Sequence, residues 1–339
     1  MREALMNLRI ARFHVSDHLL AACIAFLLLL VFPSDSRAQA ELRADKQLFL
    51  ETTYGSMSLR EGPNHELFLL NRSLVPNSSI WISDYSGTSA HRIVGGATKP
   101  ADLRIPADLA MDRDGNAIVA DISIKVFSVD GKLLKSFPFE RPHSVGVLGD
   151  GRILASGFPK EHLLSVFDRQ GKLLSYIGEP AKADDEPFSS AVLNMGIIVV
   201  DPADNIYYIF RYMLTPNVRK YSRDGKLLAE WHPQSANLDQ VVAKAREFYE
   251  ESKQKKSGSS HAVSTVFTSG AFDSNTNTLW IASGAHLLQL DDSGKTVRTL
   301  ALVRPDGGPL QANGLLVDRD FIRAASNLHG VFEAFKPHW

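Results

Sequence analysis

Short apolar runs and polar turns alternate along the chain with a repeating spacing. "PADLAMDRDGNAIVAD" (106–121) and "PHSVGVLGDGRILASG" (142–157) correspond position by position without a gap. A second pair of runs follows each, arranged around a glycine: "FSVDGKLLKSF" (127–137) and "FDRQGKLLSYI" (167–177). That pattern returns as "YSRDGKLLAEW" (221–231) and, more loosely, as "LDDSGKTVRTL" (290–300). Alternation over a few residues is the period of a half-buried strand. Each unit therefore reads as four short strands in up-and-down order. Gly131, Gly171, Gly225 and Gly294 share one slot, where a hairpin needs a residue that tolerates positive φ. Asp130, Asp224 and Ser293 directly before it are expected to favour the turn through bonds to their own backbone. No helical pattern follows these glycines, which argues against a phosphate-cradling loop.

Units begin near residues 107, 143, 195, 269 and 313, and a more divergent one spans 56–94. Self-similarity at about 40 residues in all-β sequence predicts a propeller. The expected fold is a six-bladed β-propeller of four-stranded antiparallel blades, forming a single domain over 41–339. The last unit has only three strands. "KQLFLETT" (46–53) is expected to add its outer strand and close the ring, leaving no open sheet edge at the seam. Residues 235–262 break the pattern between the fourth and fifth units. Leu238, Val241, Val242, Ala245, Phe248 and Tyr249 fall on one helical face. Asn237 with Gln240 resembles a capping box, and "KQKKSGSS" reads as a solvated return. The helix has two open placements, against a blade or over the channel.

The N-terminus changes the picture of where the protein works. Arg2, Arg9 and Arg12 precede the apolar run "LLAACIAFLLLLVF" (19–32), and Ala38-Gln39-Ala40 supplies a small-x-small site. This is the layout of a signal peptide over 1–40, cleaved near Ala40. The run is short for a membrane anchor. Cys23, the single cysteine, lies inside it, in the wrong order for lipidation. The expected protein is periplasmic or secreted, without a stable membrane anchor and without disulfides. Asn71-Arg72-Ser73 and Asn77-Ser78-Ser79 match glycosylation sequons. Lys+Arg number 37 against 38 Asp+Glu, a net charge of -1. That balance offers nucleic acid or an anionic membrane no electrostatic attraction.

The pattern Asp112, Asp114-Gly115-Asn116, Val119, Asp121, then Phe127 and Asp130-Gly131-Lys132 resembles NHL-type six-bladed β-propellers over nearly the whole mature chain. The resemblance implies the fold. That architecture hosts lactonases, lyases, receptors and scaffolds, so it does not imply one activity. Gluconolactonase-like relatives carry a metal-binding Glu in a Glu-Gly-Pro. Here Glu61-Gly62-Pro63 falls in a turn on the opposite face, Asn194 matches a second ligand, and Ser269 stands where an acid is needed. Amidating-lyase relatives hold zinc on three histidines. His143, His286 and His329 fall near loops of one face, but in the third, fifth and sixth units. No cofactor is expected from these incomplete sets, a divalent metal being the alternative. Asp112 in "DRDG" is expected to cap a turn, since the other ligands of a calcium loop are missing.

In such a ring, the loops between blades and those joining second and third strands share one face, around the channel mouth. Asp108, Asp121, His143, Asn194, Arg211, Ser269 and Asn313 are the ligand-facing candidates there; Ser144, Tyr212, His286 and His329 map nearby. Acids, an arginine and neutral hydrogen-bonding groups suit a small polar ligand or a peptide. The sequence therefore reads as an exported module binding such a ligand or a protein at this mouth. The alternative is a hydrolase or lyase, lactonase-like or zinc-dependent, with its site in the same place.

Overall fold

The computed structural model describes residues 40–50, 54–72, 78–94, 103–254 and 261–337. The leader up to residue 39 with Cys23, the end of "KQLFLETT", Ser73 and Asn77 of the sequons, and 255–260 lie outside the described residues. Within Ala40–Trp339 six sheets form a propeller. Blade 1 holds β3 (Ser56–Glu61), β4 (Leu67–Asn71), β5 (Ser79–Ser83) and β6 (Ala90–Val94). Blade 2 holds β7 (Asp108–Met111), β8 (Ala117–Ala120), β9 (Ile124–Phe127) and β10 (Leu133–Phe137). Blade 3 runs β11 (Ser144–Val147), β12 (Ile153–Ser156), β13 (Leu164–Phe167) and β14 (Leu173–Ile177). Blade 4 runs β15 (Gly196–Val200), β16 (Ile206–Phe210), β17 (Val218–Tyr221) and β18 (Leu227–Trp231). Blade 5 comprises β19 (Ser269–Asp273), β20 (Thr278–Ser283), β21 (His286–Leu290) and β22 (Thr296–Val303). Blade 6 comprises β23 (Gly314–Val317), β24 (Phe321–Ser326) and β25 (Gly330–Phe335).

The inner strands β3, β7, β11, β15, β19 and β23 touch in a closed cycle. The core is not central. Its clusters of buried side chains lie between neighbouring blades, as where Leu109 and Phe127 of blade 2 meet Phe68 and Ile80 of blade 1. The repeated glycine has a second duty there. Gly131 and Gly294 adopt φ of 80° and 82°. A Cβ would lie 2.0 Å from Ile93 O at the first and 2.1 Å from Trp231 Cγ at the second, both on the preceding blade. The hairpin thus turns and docks at the same residue. Asp130 bonds its own backbone as expected, and a side chain three positions before the glycine also holds the turn. Asp291 Oδ1 accepts from Ser293 N and Lys295 N, both at 3.0 Å, and Ser128 Oγ accepts from Lys132 N at 3.1 Å.

The ring closes as the sequence indicates. β2 (Lys46–Leu48) pairs antiparallel with β25 as the fourth strand of blade 6. Before it, β1 (Glu41–Arg43) adds a parallel fifth strand to blade 5. An ion network backs the seam. Lys46 Nζ lies 3.1 Å from Glu333, and Arg323 donates to Glu333 and to Asp318, both at 2.6 Å. Tyr85 of the first blade bonds Asp318, and the Arg323 guanidinium sits 4.1 Å from the Tyr85 ring centroid.

Among the described residues two helices interrupt the β pattern. α1 (Pro187–Leu193) was not legible, because its cap is a glutamate: Glu186 accepts from Phe188 N and Ser189 N. α2 (Ala236–Gln254) occupies the expected insertion. Its cap is Ser235, which accepts from Leu238 N at 3.2 Å. The anticipated Asn237–Gln240 box does not form, because the Asn237 amide is turned to His286 Nε2 at 2.5 Å. Leu238, Val242, Ala245 and Tyr249 are buried, whereas Phe248 is exposed. Leu238, Val242 and Ala245 pack with Val266, Phe267 and Leu288, so α2 lies against blades 4 and 5.

Arg323 is 1% exposed, and losing it removes the cation that Glu333 and Asp318 share. Arg323→Met is expected to cost about 3–5 kcal/mol in urea unfolding. Adding Glu333→Leu should recover part of that. Equal losses in both variants would contradict the pairing.

Candidate functional site

At the upper end of the inner strands one carboxylate gathers three blades. Asp108 opens β7. Its Oδ1 accepts from Ser58 Oγ at 2.9 Å, Arg60 at 3.1 Å and Leu109 N at 2.8 Å. Its Oδ2 accepts from Ser144 Oγ at 2.6 Å and Val145 N at 3.2 Å. Ser144 Oγ in turn accepts from Ile198 N at 3.0 Å, which extends the chain of bonds to blade 4. A carboxylate this buried persists only when its lone pairs are filled and a cation stands by, and here both conditions hold.

Above this node Asp108, His143, Arg211, Ser269 and Asn313 line one small opening of about 20 Å³. Five of the seven ligand-facing candidates are therefore brought together. Arg211 follows β16. Its N–H donates to Met195 O at 2.9 Å, and its carbonyl accepts from Val266 N and Phe267 N. Backbone bonds from two blades thus fix the residue. Its guanidinium donates to His143 Nε2 at 3.2 Å. Since arginine is only a donor, His143 carries its proton on Nδ1. Burial, then the positive charges of Arg211 and Arg72, push the His143 pKa down to about 3. Arg211 Nε is buried and has no hydrogen-bond partner, and no carboxylate pairs with Arg211 among the described residues.

The other two candidates are held by the chain itself. Asp121 accepts from Arg104 N and Ile105 N and pairs with Lys125 at 2.9 Å, with none of its side chain exposed. Asn194 is fully buried at the end of α1. Its amide accepts from Ala181 N at 2.7 Å and donates to Ala181 O and Ser190 O. Neither lines the opening. Arg60 is the residue that sequence reasoning missed. It lies inside β3, donates to Leu59 O at 2.8 Å and to Asp108, and borders both the upper opening and the wider channel below. No loop motif announces it.

The metal sets do not assemble. Glu61 ends β3 in the turn where Gly62 N bonds Glu66 O, at the opposite end of the inner strand from the mouth. With Glu61 there, Asn194 tied to backbone and Ser269 offering no charge, the lactonase-type ligands do not fit a metal. Among the described residues no three His, Cys, Asp or Glu side chains converge. His286 bonds Asn237, and His329 borders a separate recess with Gln47 and Arg304, so the zinc trio does not fit either. Asp112 caps its turn as expected, accepting from Asp114 N and Asn116 N. No helix among the described residues is long and apolar enough to cross a membrane. No residue of α2 lines the mouth, so the helix packs on blades without covering it.

Comparison with solved structures agrees with the ring. A virginiamycin B lyase from Staphylococcus aureus superposes with a TM-score of 0.53 at 10% identity, covering 86% of this chain and 98% of that one. The chain is a six-bladed β-propeller. A gluconolactonase from Xanthomonas campestris gives a TM-score of 0.56 at 13% identity, covering 86% of this propeller and 89% of that chain. No protein-family profile matches the sequence, and no curated protein matches it either.

The low pKa of His143 sets a pH dependence. The unfolded chain takes a proton near pH 6.5, whereas the folded one resists until about 3. The unfolded state thus binds more protons between these values, and stability falls as pH drops through that window. His143→Gln is expected to lose less stability than the wild type between pH 6.5 and 4. Parallel curves from denaturant titrations would contradict the assignment.

Proposed function

We propose that the protein is an exported binding module whose upper channel mouth takes a small anionic ligand, in the simplest case a carboxylate, on Arg211. The observation that carries this reading is the Arg211 guanidinium, whose buried Nε has no hydrogen-bond partner and which pairs with no carboxylate among the described residues. A buried donor left unmade costs about 1–3 kcal/mol, and a ligand oxygen would satisfy it. The planar fork of arginine matches a carboxylate in two-point contact. His143, neutral by burial, adds a donor without cancelling the charge. Ser269 and Asn313 flank the same opening. Export rests on the leader sequence 1–40.

Catalysis at this mouth has less support. A general base works best with a pKa near the operating pH, and His143 lies far below it with Nε2 already occupied. Ser144 Oγ donates to Asp108. A hydrolase or lyase reading draws only on the names of the two proteins that share the fold.

Calorimetric titration with malonate, succinate and citrate tests the proposal. At least one is expected to bind with one-to-one stoichiometry. Arg211→Ala should weaken it by at least about tenfold, and Arg211→Lys by less. Binding unaffected by Arg211→Ala, or no binding of any of the three, would contradict it.

A further inference from the structure

The outermost strand of each blade leaves one backbone edge open, and a charge within that strand hinders pairing with another chain. Arg92 stands in β6, Lys135 in β10, Glu230 in β18 and Lys46 in β2. The edge of β22 is covered by β1, which itself carries Glu41 and Arg43. β14 is the exception. Leu173-Leu174-Ser175-Tyr176-Ile177 holds no charge, and its first four residues are exposed. Leu173, Leu174 and Tyr176 are 41%, 50% and 51% accessible. The strand is the last of its sheet, with no strand beyond it among the described residues.

This edge is also complementary to itself. Leu163 N donates to Gly178 O at 2.9 Å. Alternation then turns the backbone groups of Gly178 and Tyr176 toward β13, and those of Ser175 and Ile177 outward. We propose that β14 is a self-association edge, through which two copies of this chain pair antiparallel about a twofold axis at Ser175. Ser175 there exchanges both outward backbone bonds with Ser175 of the second copy. Leu174 lies opposite Tyr176 of that copy and Leu173 opposite Ile177, the aliphatic and aromatic pairs that stabilise adjoining strands. Lys172 falls opposite Gly178, which leaves room for its side chain to reach the adjacent Glu179. Lys172 and Glu179 are both exposed, and neither has an ion pair among the described residues. The twofold axis makes each contact twice. Blade 3 of one copy thus continues into blade 3 of the other. The surface lies on the rim of the ring and is independent of the Arg211 reading.

A five-residue strand pair buries less than a standard interface, so the dimer is expected to be weak, with a Kd of about 10–100 μM. Sedimentation equilibrium of the protein across a range of about 1–500 μM tests this, with a monomer–dimer midpoint expected inside it. Ser175→Lys gives blade 3 the guard that blade 2 carries at the matching position, Lys135, and sets like charges opposite each other on the axis. That variant is expected to stay monomeric throughout, with its near-UV circular dichroism unchanged. Lys172→Glu should weaken the dimer by about threefold or more, and adding Glu179→Lys should restore it. The proposal is overturned by a wild type that stays monomeric, by a dimer that Ser175→Lys leaves intact, or by a double variant no tighter than Lys172→Glu alone.

Discussion

The Asp108 carboxylate holds the upper ends of the first three inner strands together. It takes hydrogen bonds from blade 1 through Ser58 and Arg60, and from blade 3 through Ser144 and Val145. An inner strand has neighbours only at its sides, and its upper end would otherwise splay. One anion with filled lone pairs ties three such ends and sends a fourth bond to blade 4 through Ser144. The same contact holds Arg60 against blade 2, where it borders both the upper opening and the channel below. That pair stands between the small upper mouth and the wider channel below, and above it no carboxylate pairs with Arg211 among the described residues.

Much of the fold was legible because a propeller writes its rules once per blade. The glycine of "DGKLL" recurs since each hairpin needs positive φ and each blade must seat against the one before, as Gly131 does on Ile93. The closing strand was legible because blade 6 visibly lacked a fourth run. The helices were harder. Glu186 capping α1 is not a usual cap residue. In α2 the apolar stripe was read correctly for Leu238, Val242, Ala245 and Tyr249, but Phe248 lies just outside it and faces solvent.

The site was legible in position and less so in chemistry. Loop order puts Asp108, His143, Arg211, Ser269 and Asn313 at one mouth. It does not reveal which polar groups the chain already uses. Asp121 holds two backbone N–H groups and Lys125, and Asn194 closes on Ala181. Those bonds depend on three-dimensional approach, which spacing along a chain does not encode. Arg60 was invisible for a related reason, since a charge inside an alternating strand reads as a solvated face until the ring curls that face inward.

A crystal structure of the protein soaked in malonate tests the division of the channel most directly. One carboxylate is expected within about 3 Å of Arg211 Nε, with Arg60 still on Asp108. Malonate seated between Arg60 and Asp108, with Arg211 left bare, would contradict it.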